Sequence, residues 1–325
     1  MSIARLGLQV LALCGVSAAL GACGGDRTLG APAMPAGTFA GKQQAGSTAG
    51  YSGDLLYIAH SGHHRFHGLL SVLTFPQGKL VSTISITRFA TGICSDTSGN
   101  VWLIVVDHNR RTAYEYAHGG TTPITTLRML HSWSGLSCAV DPASGNLAII
   151  TGDRRGRNFA DIYPGARKGK PASYPIPFGP TACTYDDSGN LFVDGAVGST
   201  IFFKLAELPK GAHEFTDITL NKAASWYPGG MQWDGKYLAL VEPFRQQGPS
   251  IYRIKISGSS GDVVGVVHLD ALWSGSPLAI GEGRAVGTAD EGNVVAQWRY
   301  PAGGKRIKTV VQYQYGIAGV AISAK

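Results

Sequence analysis

Apolar residues in this chain come in short runs rather than in helical stripes, and the runs recur at a near-constant interval. They are Leu55–Ala59, Val101–Val106, Leu147–Thr151, Leu191–Val193, Tyr237–Val241 and Ala285–Ala289, with starts 46, 46, 44, 46 and 48 residues apart. Three of them follow one kind of turn: Asp96-Thr97-Ser98-Gly99-Asn100, Asp141-Pro142-Ala143-Ser144-Gly145-Asn146 and Asp187-Ser188-Gly189-Asn190. A shortened Asp234-Gly235-Lys236 precedes the fifth. Asp, Ser, Gly and Asn supply the tight turns that join neighbouring strands. A second landmark keeps step: Phe75-Pro76-Gln77-Gly78, Tyr116-Ala117-His118-Gly119, Tyr163-Pro164-Gly165, Leu208-Pro209-Lys210-Gly211 and Tyr300-Pro301-Ala302-Gly303. Ile256-Ser257-Gly258 stands where the missing copy belongs. No long segment shows capped 3.6-residue periodicity.

Each interval holds four strands: an inner one before the Asp turn, the apolar run, a third such as Ile201 to Leu205, and an outer one such as Phe215 to Leu220. Repeats of this size mean a propeller or an array. The pattern predicts an all-β fold, a six-bladed β-propeller over residues 51–325 with four-stranded blades. Seven shorter blades would fit the length, but the landmarks count six. The first unit lacks an inner strand, and Gly316 to Ile322 reads as an inner strand without followers. The C-terminal strand is therefore expected to join the first blade and close the ring.

Composition agrees with such a body. The 325 residues include 45 Gly and only 15% charged residues, which excludes a disordered tail or a coiled coil as the bulk of the chain. The first 50 residues read differently. Arg5 is followed by an apolar stretch, Leu6 to Leu20, and small residues at Gly21 and Ala22, the organisation of a signal peptide too short to span a bilayer. Leu20-Gly21-Ala22-Cys23 resembles the lipobox of bacterial lipoproteins, which implies cleavage after residue 22 and lipidation of Cys23. Cleavage would remove Arg5 and lower the net charge from +7 to +6. Residues 23–50 read as a flexible tether. The resemblance implies a protein exported and lipid-anchored in the cell envelope, and in a Gram-negative cell Gly24 leaves the outer membrane open as the destination.

Asp54-Leu55-Leu56-Tyr57-Ile58-Ala59-His60-Ser61-Gly62-His63-His64-Arg65 resembles the NHL repeat, with weaker echoes at Val101 to Asp107 and Leu191 to Asp194. His60 departs from the Asp usual there. The resemblance implies six blades and either a binding module or a propeller enzyme such as a lactonase or lyase; fold alone does not decide between them.

The repeat places His60, Asp107, Asp153, Asp194, Glu242 and Asp290 at the ends of the second strands, one per blade. Such a ring could hold Ca²⁺ or another divalent cation through oxygen ligands; equally, each Asp could cap its own turn. Aromatics recur where outer strands cross to inner ones, at Phe89, Trp133, Phe178, Trp226 with Tyr227, Trp273 and Tyr315. Trp133, Trp226 and Trp273 are candidate ligand platforms, with wedges between blades as the alternative. Cys94, Cys138 and Cys183 all fall in inner strands, and equal spacing from Asp141 and Asp186 makes Cys138–Cys183 the disulfide candidate. Export permits one, and closing that loop would contribute about 4 kcal/mol.

His63, His64 and His67 cluster in the first unit, and Arg110-Arg111, Arg154, Arg155, Arg157, Lys168 and Lys170 suggest a basic patch. No nucleophile elbow, zinc helix or phosphate loop is present. Inner-strand segments Ile93-Cys94-Ser95, Leu136-Ser137-Cys138, Ala182-Cys183-Thr184, Met231-Gln232-Trp233 and Leu278-Ala279-Ile280 offer poor metal ligands. The expectation is a monomeric binding module, without a cofactor, for a protein, peptide or carbohydrate and not for nucleic acid. A divalent-metal-dependent lactonase or lyase is the alternative, drawing on Asp107, Asp153, Asp194, Glu242 and Asp290.

Overall fold

The computed structural model describes residues 51–61, 68–86, 89–106, 111–131, 134–197, 202–222, 229–242, 250–273, 275–313 and 316–325. They form six sheets in a β-propeller, one per sequence repeat, antiparallel except for one edge strand of the fifth. The second blade is typical: inner strand Phe89–Ser95, then Val101–Val106, Arg111–Tyr116 and outer strand Pro123–Arg128. The first blade takes its inner strand from the chain's end, as expected. Ile317–Ser323 pairs antiparallel with Leu55–Ser61, from Leu55 opposite Ser323 to His60 opposite Ile317.

The second strands are continuous apolar runs because both of their faces are covered. Leu55, Tyr57 and Ala59 pack on the second blade, whereas Leu56 and Ile58 pack on the sixth. Six such clusters lie between the six pairs of neighbouring blades. A strand buried on both sides cannot alternate apolar with polar, so its run is the strongest signal in the repeat.

The Asp turns work as their composition implies. Asp96 Oδ1 accepts the backbone N–H groups of Ser98 and Asn100, at 2.9 and 2.8 Å. In the fourth blade the acceptor is Asp186, not Asp187: its Oδ1 takes Ser188 and Asn190 N–H, each at 2.9 Å. Gly99 and Gly189 sit at φ +81° and +86°, where a side chain would be strained.

Two features depart from the expected repeat. The segment expected as one outer strand divides: Thr216–Asp217 pairs within the fourth blade, while Thr219–Leu220 runs parallel to Ser260–His268 at the edge of the fifth. This strand covers the edge of the fifth sheet and stitches two blades together. The basic patch also divides. Arg154, Arg155 and Arg157 lie before the third strand Asn158–Tyr163, and Lys168 and Lys170 lie after it, at opposite ends of an element about 20 Å long. Arg110 and the His63, His64 and His67 cluster lie outside the described residues.

Candidate functional site

The inner strands surround the axis and enclose a cavity of about 280 Å³ that opens among the Asp turns. All six blades contribute, with Ile93, Met231, Gln232, Trp233, Ala279 and Ile322 among the lining residues. The crowding is close. A Cβ on Gly230 would lie 2.4 Å from the backbone N of Leu278 in the next blade, so only glycine fits.

Neighbouring inner strands are linked one after another around this channel. Ser95 Oγ donates to Ile322 O at 2.7 Å, tying the second blade to the first. A disulfide joins Cys94 to Cys138, second blade to third, with Cα atoms 5.7 Å apart. Ser137 Oγ accepts the Cys183 N–H at 3.3 Å, and Thr184 Oγ1 accepts the Trp233 N–H at 3.2 Å. Gln232 completes a mock strand pair with Ile280, accepting its N–H at 2.7 Å and donating to its carbonyl at 3.2 Å. Between the sixth and first blades the contact is apolar, with Ile322 packed over Gly281. Ser95, Ser137, Thr184 and Gln232 in the channel wall are thus engaged in joining blades.

The disulfide corrects the expected Cys138–Cys183 pair, and strand geometry supplies the reason. Cys138 pairs with Ile149 and Cys183 with Val193, each two residues into its second strand, while Cys94 pairs with Trp102, one residue in. Successive residues of a strand face opposite sides, so residues at equal height in adjacent blades point the same way around the ring and cannot meet. Cys138 faces the second blade and Cys183 faces the third. Cys94 differs in height by one, faces Cys138, and falls within bridging distance.

Cys183 is a buried free thiol whose pKa burial pushes up to about 12, despite the opposing bond to Ser137. Thiolate is the reactive form. Alkylation of the native protein near neutral pH should therefore leave Cys183 unmodified, and a non-reducing digest should recover a single disulfide peptide linking Cys94 to Cys138. Recovery of a Cys138–Cys183 peptide would contradict the pairing.

The expected carboxylate ring does not assemble among the described residues. His60 is buried, stacked on Tyr313 at 3.7 Å and within 3.2 Å of Ser71 Oγ. Asp153 caps its own turn through Arg155 and Arg157 N–H and pairs with the Arg157 guanidinium at 2.6 Å. Asp290 is ion-paired with Arg306. Asp107 lies outside the described residues, as does the side chain of Glu242. No three His, Cys, Asp or Glu side chains gather to hold a metal among the described residues.

Asp194 stands apart for a topological reason. Its strand continues to Val197, so it lies mid-strand, fully buried, rather than at a strand end. Oδ1 accepts the Ala182 N–H at 2.8 Å, where a bulge between Pro180 and Cys183 interrupts the ladder. Oδ2 is buried without a partner. Burial raises this carboxyl well above the ordinary range, outweighing the backbone hydrogen bonds that lower it. A raised folded-state pKa contributes stability that is complete below the unfolded value, about 3.9, and is lost as pH climbs toward the folded one. An Asp194→Asn protein should therefore gain in melting temperature relative to the parent as pH rises from 4 toward neutrality. A difference that stays constant over that interval would contradict a buried neutral acid.

The aromatic candidates divide as well. Phe178 is buried between the third and fourth blades, the wedge arrangement. Phe89 and Trp273 are 40% and 44% exposed, so they are not wedges. Trp133, Trp226, Tyr227 and Tyr315 lie outside the described residues.

One further constellation carries no repeat signature. Fully buried Asp161 accepts hydrogen bonds from Thr151 Oγ1 at 3.0 Å and Ser173 Oγ at 2.7 Å, and pairs with His131 Nδ1 at 3.0 Å. His131 stacks flat on Phe159, centroids 4.0 Å apart. The imidazole enters from beyond the outer strand of the second blade and fastens it to the third. The one hint in the sequence is a lone carboxylate amid the apolar Phe159, Ala160, Ile162 and Tyr163.

The ring of six sheets is similar to several solved structures. A chain of the nidogen/laminin complex aligns at a TM-score of 0.59 and 13% identity, over 83% of this chain and 98% of that one. TolB from Acinetobacter baumannii gives 0.59 and 13%, over 85% and 67%. The hydrazine synthase of Kuenenia stuttgartiensis gives 0.52 and 10%, over 71% and 70%. What they share with this chain is the fold. No family model and no curated protein sequence matches it.

Proposed function

We propose that this protein is a lipid-anchored, NHL-like propeller of the cell envelope that binds a protein, peptide or carbohydrate partner at the channel mouth among the Asp turns. The observation that carries this reading is the channel itself: six blades frame a cavity of about 280 Å³ in whose wall Ser95, Ser137, Thr184 and Gln232 already join blade to blade. At its rim, Asp96 is held by its own turn and Asp187 by the Trp233 indole, at 2.9 Å. A wall of this kind suits a projecting apolar or hydrogen-bonding group better than it suits proton transfer or cation binding.

Anchoring through Cys23 rests on the lipobox resemblance. Labelling with a fatty-acid probe should mark the parent and not a Cys23→Ser variant, which should leave the membrane fraction. Recognition is tested by placing a photo-crosslinking residue at exposed Thr97 in the full chain within intact cells. One adduct of reproducible mass is expected, lost when Pro142→Trp blocks the rim. Absence of any adduct, or a stoichiometric divalent cation retained through dialysis, would overturn the reading, the latter in favour of a metal-dependent enzyme.

A further inference from the structure

Each blade ends in an outer strand, and an outer edge left open is a template for pairing with another chain. Five of the six edges are blunted. Pro123–Arg128 in the second blade begins with proline and ends with arginine, and Ala172–Ile176 in the third contains Pro175. The outer strand of the fourth is only Thr216–Asp217. Thr219–Leu220 covers the edge of the fifth, and Lys308–Gln312 in the sixth opens on a lysine.

The first blade is the exception. Its outer strand, Leu80–Ile86, has neither proline nor charge along its seven residues, and no strand lies beyond it among the described residues. Leu80 and Val81 are 53% and 38% exposed, and Thr83 and Ser85 are exposed with them.

Hydrogen-bond alternation fixes which backbone groups of this strand face outward. Thr74 N–H donates to Lys79 O, and Phe75 N–H to Asp54 O, each at 2.8 Å. Even-numbered residues of Gly68–Thr74 therefore bond toward the outer strand and odd-numbered ones toward Leu55–Ser61. Gly68, Leu70 and Val72 are paired with Ile86, Ile84 and Ser82, whose N–H and C=O groups turn inward. Those of Val81, Thr83 and Ser85 point away from the sheet. Ile84 and Ile86 pack toward the second blade, so the side chains of Val81, Thr83 and Ser85 lie on the opposite face.

We propose that this edge pairs with the same edge of a second copy of the chain, the two strands running antiparallel about a twofold axis at Thr83, in place of the monomer expected from the sequence. Thr83 lies opposite Thr83 of the second copy and Val81 opposite its Ser85, each pair exchanging both N–H···O=C bonds. The strand itself selects this occupant. Self-pairing opposes no like charges within it, matches β-branched residues with β-branched residues, and sets a Thr–Thr pair at the axis. A twofold contact uses the same patch on both copies, so it consumes both open edges and leaves none to extend a filament. Seven residues a side are few against the roughly 20–30 of a standard interface. The dimer is accordingly reversible, with a dissociation constant on the order of 10–100 µM. The contact lies on the outside of the ring and is independent of the channel mouth.

The test is sedimentation equilibrium of the full-length chain carrying Cys23→Ser, which removes lipid-driven association. A monomer–dimer equilibrium is expected. Thr83→Pro deletes an outward N–H and no bond of the blade's own ladder, and should weaken the dimer at least tenfold. Thr83→Lys sets like charges at the axis, should have the same effect, and serves if Thr83→Pro does not fold. Cross-linking then reads the register. In a hydrogen-bonded antiparallel pair the two residue-83 Cα atoms lie about 5.5 Å apart, within disulfide reach, so Thr83→Cys should oxidise to a covalent dimer. Leu80→Cys, about 20 Å from its counterpart in this register, should not. A parent that stays monomeric to several times the expected dissociation constant, a dimer indifferent to Thr83→Lys, or equal cross-linking at the two positions overturns the proposal.

Discussion

Deleting residues 316–325 is expected to make the protein aggregate. The segment supplies the inner strand of the first blade, pairing with Leu55–Ser61 along its length, and its loss would remove more than one ladder. Val320 and Ala321 are buried at the axis, and Ser95 and the Gly99 turn both bond to the segment, through Ile322 O and Ser323 Oγ. His118 binds Ser323 Oγ at 2.6 Å and Gly53 O at 2.9 Å, so it clasps both ends of the propeller at once. Without the segment, the edge of Leu55–Ser61 would be unpaired and apolar, a template for aggregation. Solubility and thermal unfolding of the truncated chain provide the measurement. A soluble truncation that melts cooperatively would show that the ring closes without its last strand.

Trp298→Ala should cost about 4 kcal/mol, the usual loss for truncating a fully buried large aromatic. Trp298 is fully buried in the cluster between the fifth and sixth blades, against Val267, Leu269, Leu272 and Leu278. Its Nε1–H donates to the carbonyl and the side chain of Asp270, both at 3.0 Å. Asp270 also accepts the Arg306 N–H, so the same loss loosens the strand connection that leads to the outer edge. Trp298→Phe keeps most of the packing and loses the indole donor, and should cost about 1–2 kcal/mol. Trp273→Ala, at a ring that is 44% exposed, should fall within about 0.5 kcal/mol of the parent. Denaturant midpoints for the three variants give the comparison. A Trp298→Ala cost no larger than that of Trp273→Ala would mean that the blade interface relaxes around the missing ring.

The legibility of the fold traces to one condition, the burial of each second strand on both faces. That condition forces apolar runs such as Val101–Val106 and Leu147–Gly152, and the turns before them need Asp and Gly at fixed offsets. The starts of these strands are accordingly legible to within a residue, Tyr237 against Leu238 and Ala285 against Arg284, whereas the run Leu191–Val193 stops four residues short of its strand's end at Val197. The outer strands are less legible. Phe215 to Leu220 looked continuous because outer strands carry a weak half-exposed pattern, and nothing local says that Thr219 pairs with Ser260 of another blade.

Candidate chemistry was less legible because it depends on side-chain direction. Counting from landmarks put Asp194 beside Asp153, yet one is capped by Ala182 inside a blade interface and the other holds its own turn. Counting also matched Cys138 with Cys183, and alternation of facing overruled it. The Asp234–Arg253–Tyr300 network joins residues up to 66 positions apart, and the His131–Asp161 pair spans two blades; no local pattern names the partners.

By itself, the sequence determined the number of blades, their strand order and the closing of the ring by the last strand, because periodic burial and turn chemistry are local and repeat six times. Tertiary structure alone decided which side chains meet: the disulfide partner, the links around the channel and the Asp234–Arg253–Tyr300 network. Those contacts are made between blades, where a shift of one residue reverses the direction in which a side chain faces.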